Sequence, residues 1–349
     1  MTVRLSFQDC KKAILNIDST IKDAAESLTS SSLRICLVLN EAKQLLGVVS
    51  DGDIRRGLLR QLDMSSSIKN ILNIHPLVVP AGFSNESISK VMIANNVFVI
   101  PEIDDENHVS ALHIIGDSSN ALNDVTMVIM AGGKGKRLRP HTNLCPKPML
   151  PVMGKPMLEH IILQAISEGI KRFIISVNYL SHIIEDYFKD GSDFNVNISY
   201  LRETSALGTA GSLSLLQSTL EKPIIITNCD IISDIEYLSV FDFHERQQSV
   251  ATMAVRIHET QNQFGVVQLD GLNIIGFEEK PTYLEYINAG VYCLSPEVLT
   301  RLVYNEYCDM PSLFQRLQSE DKRVLAYPMH EPWVDVGRPD DLLKLTSNV

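Results

Sequence analysis

No run of ~18 to 20 apolar residues, the length a membrane-spanning helix needs, occurs in the 349-residue sequence. The first residues, MTVRLSFQDCKKAILNID, lack the apolar stretch and small-residue cleavage site of a secretory leader. None of the six cysteines stands in a C-x-x-C pair, and their spacing describes neither a disulfide framework nor a zinc knuckle. Free thiols in a reducing compartment are expected, hence a cytoplasmic protein with no membrane partner. Positive charge is scarce overall. A net charge of −11 leaves no basic footprint for a phosphate backbone, which argues against nucleic acid as a partner. A small phosphorylated ligand is not excluded, because local charge decides that case.

Two patterns follow one another along the chain. Residues 1–118 hold short strand-like runs at Ile35–Leu39, Leu45–Val49, Leu77–Val79, Val97–Ile100 and Ala111–Ile115. Helical patterns lie at Ile21–Leu28 and Glu86–Ala94. The order helix, strand, strand, helix appears twice at a spacing of roughly 60 residues, which predicts a tandem α+β module of about 1–62 and 63–118. The polar stretch GDSSNALND, residues 116–124, reads as a linker. Residues 125–349 then alternate buried strands (Val125–Met130, Phe173–Val177, Ile198–Leu201, Ile224–Thr227) with helices (Met157–Glu168, His182–Phe188, Gly211–Leu220). That alternation predicts an α/β domain with a mostly parallel, Rossmann-like sheet whose ligands bind beyond the carboxyl ends of the strands. Four further strand-like runs between Ser249 and Leu294, with little helix among them, predict an added mixed or antiparallel part.

The first buried strand runs into Ala131-Gly132-Gly133-Lys134-Gly135-Lys136-Arg137-Leu138. Glycines let backbone approach a ligand, and successive N–H groups in such a turn form an anion-binding nest. The spacing fits neither a P-loop nor a dinucleotide fingerprint. From Val125 to Leu158 there is no Asp or Glu, while Lys134, Lys136, Arg137, Arg139, Lys147 and Lys155 all fall there. Such a cluster in an acidic chain points to a site for several phosphates, which Arg grips with a planar fork and Lys with a compact charge.

Ala131–Thr142, Pro146-Lys147-Pro148, Leu150-Pro151-Val152 and Lys155-Pro156 together resemble the signature of the sugar-1-phosphate nucleotidyltransferases, which include the GDP-mannose, dTDP-glucose and UDP-glucose pyrophosphorylases. The resemblance extends over residues 125–349 and implies a GT-A-like fold. Beside it stand acids placed by the strand pattern. Asp230 ends the apolar run Ile224–Thr227, where it reads as a crevice residue or a turn acid. Asp335 sits in Trp333-Val334-Asp335-Val336-Gly337. Two carboxylates with substrate phosphates suit Mg²⁺, and the resemblance assigns both to the metal. Arg137 and Lys147 are then the catalytic cations, with Ala131, Gly132, Gly133 and Gly135 cradling phosphates. From spacing alone, Glu279-Lys280 reads as an exposed charge cluster; the resemblance gives it the sugar phosphate, and gives Asn288 and Gly290 the sugar ring. Glu203 and Gly208-Thr209-Ala210 lie between a strand and a helix, where small residues admit a ligand to the backbone or merely cap the helix. The string L-G-T-A-G resembles the guanylyltransferase branch and favours GTP.

In the first module, Gly47-Val48-Val49-Ser50-Asp51-Gly52-Asp53 resembles the core of a cystathionine-β-synthase-type (CBS) domain. In that family the positions of Ser50 and Asp53 hold the ribose of an adenosine-type ligand. Aligning Gly47 with Ser110 puts His113 and Gly116 at those positions in the second copy, without an acid. One adenine or guanine nucleotide site, or a module serving homo-oligomer contacts, is expected. The fusion of both modules resembles bacterial glucosamine-1-phosphate guanylyltransferases that supply nonulosonic (legionaminic) acid synthesis. Mannose 1-phosphate is the alternative sugar, and CTP or UTP the alternative nucleotides. A catalytically silent nucleotide sensor is the rival of another class.

Overall fold

The computed structural model describes residues 2–31, 33–95, 97–115, 125–216, 220–339 and 341–342. The chain divides into two compact units, Met1–Ser118 and Ser119–Val349. The segment 116–124, read as a linker, lies outside the described residues. No helix among the described residues is long and apolar enough to cross a membrane.

In the first unit, Ile35–Leu39 pairs in parallel with Ile14–Asn16 and antiparallel with Leu45–Ser50. The helix Ile21–Ser31 buries Ile21, Ala24 and Ala25. A second sheet runs in the order Thr2–Ser6, Val109–Ile115, Val99–Ile103, Val79–Pro80, with the helix Asn85–Ala94 in the same unit. Each half thus repeats strand, helix, strand, strand. The sheets do not respect a division at residue 62, because the N-terminal strand Thr2–Ser6 joins the second one. It covers an edge of Val109–Ile115 that would otherwise present unpaired backbone. Arg4 fixes it there, reaching Glu102 at 3.1 and 2.7 Å. Glu102 also accepts the Ser110 hydroxyl and contacts His113 Nε2 at 2.7 Å. The Arg4 hydrogen bond chiefly, helped by the Ser110 and His113 hydrogen bonds, holds the buried Glu102 down at about 2.

The two hairpins correct the alignment of the repeats. Each has a bulge at the same place, with Leu39 opposite Leu45 and Ile103 opposite Val109. Counting from there, Gly47 corresponds to Ala111 rather than Ser110, and Ser50 to Ile114. His113 therefore matches Val49, on the other face of its strand, which explains its burial against Glu102. By the same count the position of Asp53 falls at residue 117, outside the described residues. Ile114, at the position of Ser50, lacks the hydroxyl.

The second unit is built on a seven-stranded sheet ordered Asn197–Arg202, Arg172–Val177, Thr126–Met130, Ile224–Asn228, Thr282–Leu294, Ala251–Gln261, Val324–Met329. The first four strands are mutually parallel, and Thr282–Leu294 runs against both its neighbours. Thr126–Met130 is buried on both faces, as its unbroken apolar run predicts. Met127 and Ile129 pack with the helices Met157–Ser167, Ser181–Phe188 and Tyr237–Arg246. Val128 and Met130 pack with Leu213 and the helix Met310–Ser319. The helix expected over 211–220 is instead a four-residue helix, Gly208–Gly211, and a 3-10 turn, Ser212–Leu215. Glycine and serine form helices poorly, and the Ser214 hydroxyl bonds back to the Gly211 carbonyl. The strands Val266–Asp270 and Asn273–Glu278 make a separate two-stranded ribbon.

Two buried ionisable groups in this unit oppose each other in pH. His244 bonds Thr252 and Ser295 at 2.9 Å each, and burial pulls its pKa from 6.5 down to about 4. Its contribution to stability is complete above pH 6.5 and drains away as pH falls toward 4. Burial pushes Glu168 from 4.5 up to about 7, against the N–H groups of Tyr237 and Leu238 that it accepts. Its contribution is complete below pH 4.5 and is lost as pH rises through 7. Between these limits the two cancel, each carrying up to ~3 kcal/mol. Urea unfolding across this range should therefore show stability rising with pH in Glu168→Gln and falling in His244→Gln. Identical slopes in both variants would contradict the assignment.

Candidate active site

Strand ends and one loop converge on a cleft of about 230 Å³ lined by Gly133, Gly135, Lys136, Arg137, Lys147 and Asp230, among others. The loop leaves the strand Thr126–Met130 at buried Ala131, whose N–H is held by the Ser176 carbonyl at 2.9 Å. Among the described residues, the N–H groups of Gly132, Gly133 and Lys134 have no protein acceptor. N–H groups left without an acceptor in this way are available to an anion. Gly135 takes φ +57, and a Cβ there would lie 2.8 Å from Thr142. The Thr142 hydroxyl clamps the same turn by donating to the Gly135 carbonyl at 2.9 Å. Leu138 anchors the far end among Leu150, Val152, Met157 and Val336.

Lys147 is buried on a single 3-10 turn, and its Nζ donates to Asp230 Oδ2 at 2.6 Å. Asp230 follows the strand Ile224–Asn228, and its carbonyl accepts the Val336 N–H. Ile231 stands opposite Asp335 in the short antiparallel pair with Trp333–Asp335, so the two acids flank one point of the backbone. Trp333 pins that pair by donating Nε1–H to the Ala289 carbonyl. A Cβ on Gly337 would sit 3.2 Å from Asp335 Oδ1 and 3.5 Å from Arg137 Nη1, so this glycine keeps the space between acid and cation open. The Asp335 carboxyl is raised, first by burial and then by the negative charge of Asp230. That mutual repulsion, between hard oxygen donors of which Lys147 answers only one, fits a divalent cation held by Asp230 and Asp335. Lys134, Lys136, Arg137 and Arg139 are exposed, and none is ion-paired among the described residues. They remain available to an anionic ligand.

Other predicted site residues have different surroundings. Glu203 is spent on the protein: it accepts the Ser176 hydroxyl at 2.6 Å and the Leu207 N–H at 3.0 Å. It also lies where a Cβ on Gly132 would fall, 2.6 Å from Oε1, so Glu203 shapes the nest from below. The string Gly208-Thr209-Ala210 packs against the segment that holds Cys308 and Met310. A Cβ on Gly208 would meet the Cys308 carbonyl at 2.5 Å. The N–H groups of Ala210 and Gly211 both go to that carbonyl, and Thr209 Oγ1 accepts the Met310 N–H. Asn288 is likewise occupied, donating to Tyr292 and accepting from Gly290, whose φ is +76. Glu279 and Lys280 turn between the ribbon and Thr282–Leu294, with Lys280 at φ +46 and Glu279 beside Gly265. They do not line the cleft. Ser176 is a contributor that sequence reasoning did not single out; its partner Glu203 lies 27 residues further on, and nothing local marks the pair. Thr142 and Gly337 fall inside strings read from the sequence, but their contacts with Gly135, Asp335 and Arg137 do not follow from those strings.

In the first unit, Ser50 and Asp53 line a separate cleft of about 180 Å³ together with Arg56, Asn73, Pro76 and Val99. They form a capping box on the helix Asp51–Leu59, with Asp53 Oδ2 on the Ser50 hydroxyl at 2.6 Å. Asp53 Oδ1 accepts from Arg56 at 2.6 Å.

The nucleotidyl transferase family profile matches residues 126–349. The chain belongs to this family. A CBS domain profile matches residues 11–60. Over 227 residues the chain is 33% identical to a mannose-1-phosphate guanyltransferase of Yarrowia lipolytica, covering 63% of this chain and 62% of that protein. A UTP–glucose-1-phosphate uridylyltransferase of Synechocystis is 31% identical over 234 residues, covering 61% of this chain and 60% of that one. The chain therefore spans less than two thirds of the length of these relatives. A Bacillus anthracis structure assigned as a glucose-1-phosphate thymidylyltransferase shares the fold, with TM-score 0.53, 21% identity, 64% of this chain and 94% of that chain covered.

These contacts separate two glycines. Gly208→Ala places a Cβ against Cys308 at φ +78 and should cost at least ~2 kcal/mol of stability by urea unfolding. Gly133→Ala meets nothing within 4 Å and should leave stability within ~1 kcal/mol while obstructing ligand at the nest. Equal stability losses in the two would contradict the packing described.

Proposed function

We propose that the chain transfers a nucleotidyl group from a nucleoside triphosphate to a sugar 1-phosphate. A phosphate oxygen of the sugar phosphate forms a bond to the α-phosphorus, the bond to the β-phosphate oxygen breaks, and pyrophosphate leaves with that electron pair. The observation that carries this reading is the Lys147–Asp230 pair at 2.6 Å in a cleft edged by the cations Lys136 and Arg137 and by Gly337, whose neighbours are Asp335 and Arg137. Two phosphate-bearing reactants repel each other, and this concentration of charge opposes that repulsion. Lys147, positioned by its hydrogen bond to Asp230, neutralises the α-phosphate and the incoming phosphate. Arg137 forks onto the triphosphate and follows charge onto the departing pyrophosphate. The Gly132–Lys134 amides receive phosphate oxygens, and Glu203 keeps that turn in shape. Mg²⁺ is the proposed ion for Asp230 and Asp335, where it would supply charge neutralisation on the phosphates. Glu279 and Lys280 are proposed to hold the sugar phosphate.

GTP is the proposed triphosphate, supported by relatives described as guanylyltransferases. Glucosamine 1-phosphate, for nonulosonic (legionaminic) acid synthesis, is the sugar implied by the fused architecture. Mannose 1-phosphate is the second reading, favoured by the same relatives. A silent sensor has no use for a buried cation between two acids. Pyrophosphate release, measured with four triphosphates against glucosamine, N-acetylglucosamine, mannose and glucose 1-phosphates, should be largest with GTP and either glucosamine or mannose 1-phosphate. Arg137→Ala and Asp230→Asn should each lower turnover at least ~10²-fold, and chelation should abolish it. A near-wild-type rate in either variant would remove the role given to that residue.

For the first unit we propose one adenine or guanine nucleotide in the cleft of Ser50 and Asp53, with this unit also contributing to homo-oligomer formation. The ribose hydroxyls would replace Arg56 as donors to Asp53. AMP, ATP or GDP should then raise the melting temperature of the full chain in Ser50→Ala less than in wild type. No shift with any of the three would reduce Ser50-Asp53 to a helix cap.

A further inference from the structure

The ribbon formed by Val266–Asp270 and Asn273–Glu278 is apolar on one face and open to water. Val267 stands opposite Phe277 and Leu269 opposite Ile274, so these four side chains share a face, and the bulge between the pairs adds Ile275. All five are between 45% and 76% exposed. Leu272, in the turn, is fully exposed. The opposite face carries Gln268 and Gly276. Among the described residues the ribbon pairs with no other strand, so neither of its edges is covered by one. An isolated two-stranded sheet is marginal in water, and an apolar face without a cover makes it more so.

At ~150 to 200 Å² per free side chain, these six residues leave roughly 700 Å² of apolar surface in water. That exceeds the ~300 to 600 Å² of the largest patch on a typical monomer. It is close to the ~800 Å² that one partner contributes to a standard stable interface. The surrounding charge selects the kind of partner. Asp270, Glu278 and Glu279 stand in or next to the ribbon in the chain, followed by the single cation Lys280. An anionic lipid surface would be repelled by that rim. A second ribbon of the same kind would not, because the facing surfaces carry no charge and the acids stay at the margin. A twofold axis also lets one apolar face cover its own copy, residue for residue.

We infer that this ribbon is a self-association surface, on which two copies of the chain pack face to face through Val267, Leu269, Ile274, Ile275 and Phe277. The interface belongs wholly to the second unit and does not depend on contacts made by the first. Sedimentation equilibrium of the full chain tests it. The wild-type mass should be twice that of the Leu269→Lys/Phe277→Lys variant, whether or not another surface adds further copies. Gln268→Lys, on the opposite face, should keep the wild-type mass. Both altered side chains are exposed, so far-ultraviolet circular dichroism should be unchanged; if the lysine pair does not fold, Leu269→Asn/Phe277→Asn gives the same comparison. Equal masses for wild type and folded ribbon variants would overturn the proposal. So would a monomeric wild type that sediments with phosphatidylglycerol vesicles.

Discussion

Lys147 is a cation withdrawn from water, and withdrawal on that scale is tolerated only beside an opposite charge. Asp230 supplies it, and the pairing ties the Gly-rich loop's continuation to the end of the strand Ile224–Asn228. Much of the second unit's architecture serves to hold these two groups in place. The seven-stranded sheet sets the strand ends, Thr142 clamps the turn, and the pairing of Ile231 with Asp335 brings a second carboxylate alongside. Burial first, and then the charge of Asp230, raises the carboxyl of Asp335. An anionic ligand meeting the unpaired cations, with a cation meeting the acids, satisfies both halves of that tension.

The α/β class, the strand-end position of Asp230 and the cationic loop were legible because each is a local pattern. A strand buried on both faces prints an unbroken apolar run, and an acid-free stretch with six cations is visible at a glance. The contacts that assign work to single residues were not legible. Nothing local tells that the Glu203 oxygens accept from Ser176 and Leu207, 27 and 4 residues away. Gly337 carries meaning only because Asp335 and Arg137 lie on either side of it. The helix expected at 211–220 failed for a related reason, since its small residues serve close approach to another segment.

In the first unit the repeat was visible and its register was not. A slip of one residue moved His113 onto the wrong face. Only the matching bulges fix the count. The N-terminal strand shows the same limit: Arg4 and Glu102 lie 98 residues apart, and no local pattern announces their pairing.

The docking of Gly208 and Gly211 against the backbone of residues 306–308 has an implication for how such strings are compared between proteins. A stretch of small residues retained to let two chain segments touch records a shared scaffold. It would persist through a change of nucleobase preference, provided the opposing segment stayed put. Base choice should accordingly be sought in side chains that reach the cleft, and substitutions in the string should be tolerated only alongside compensating ones near Cys308.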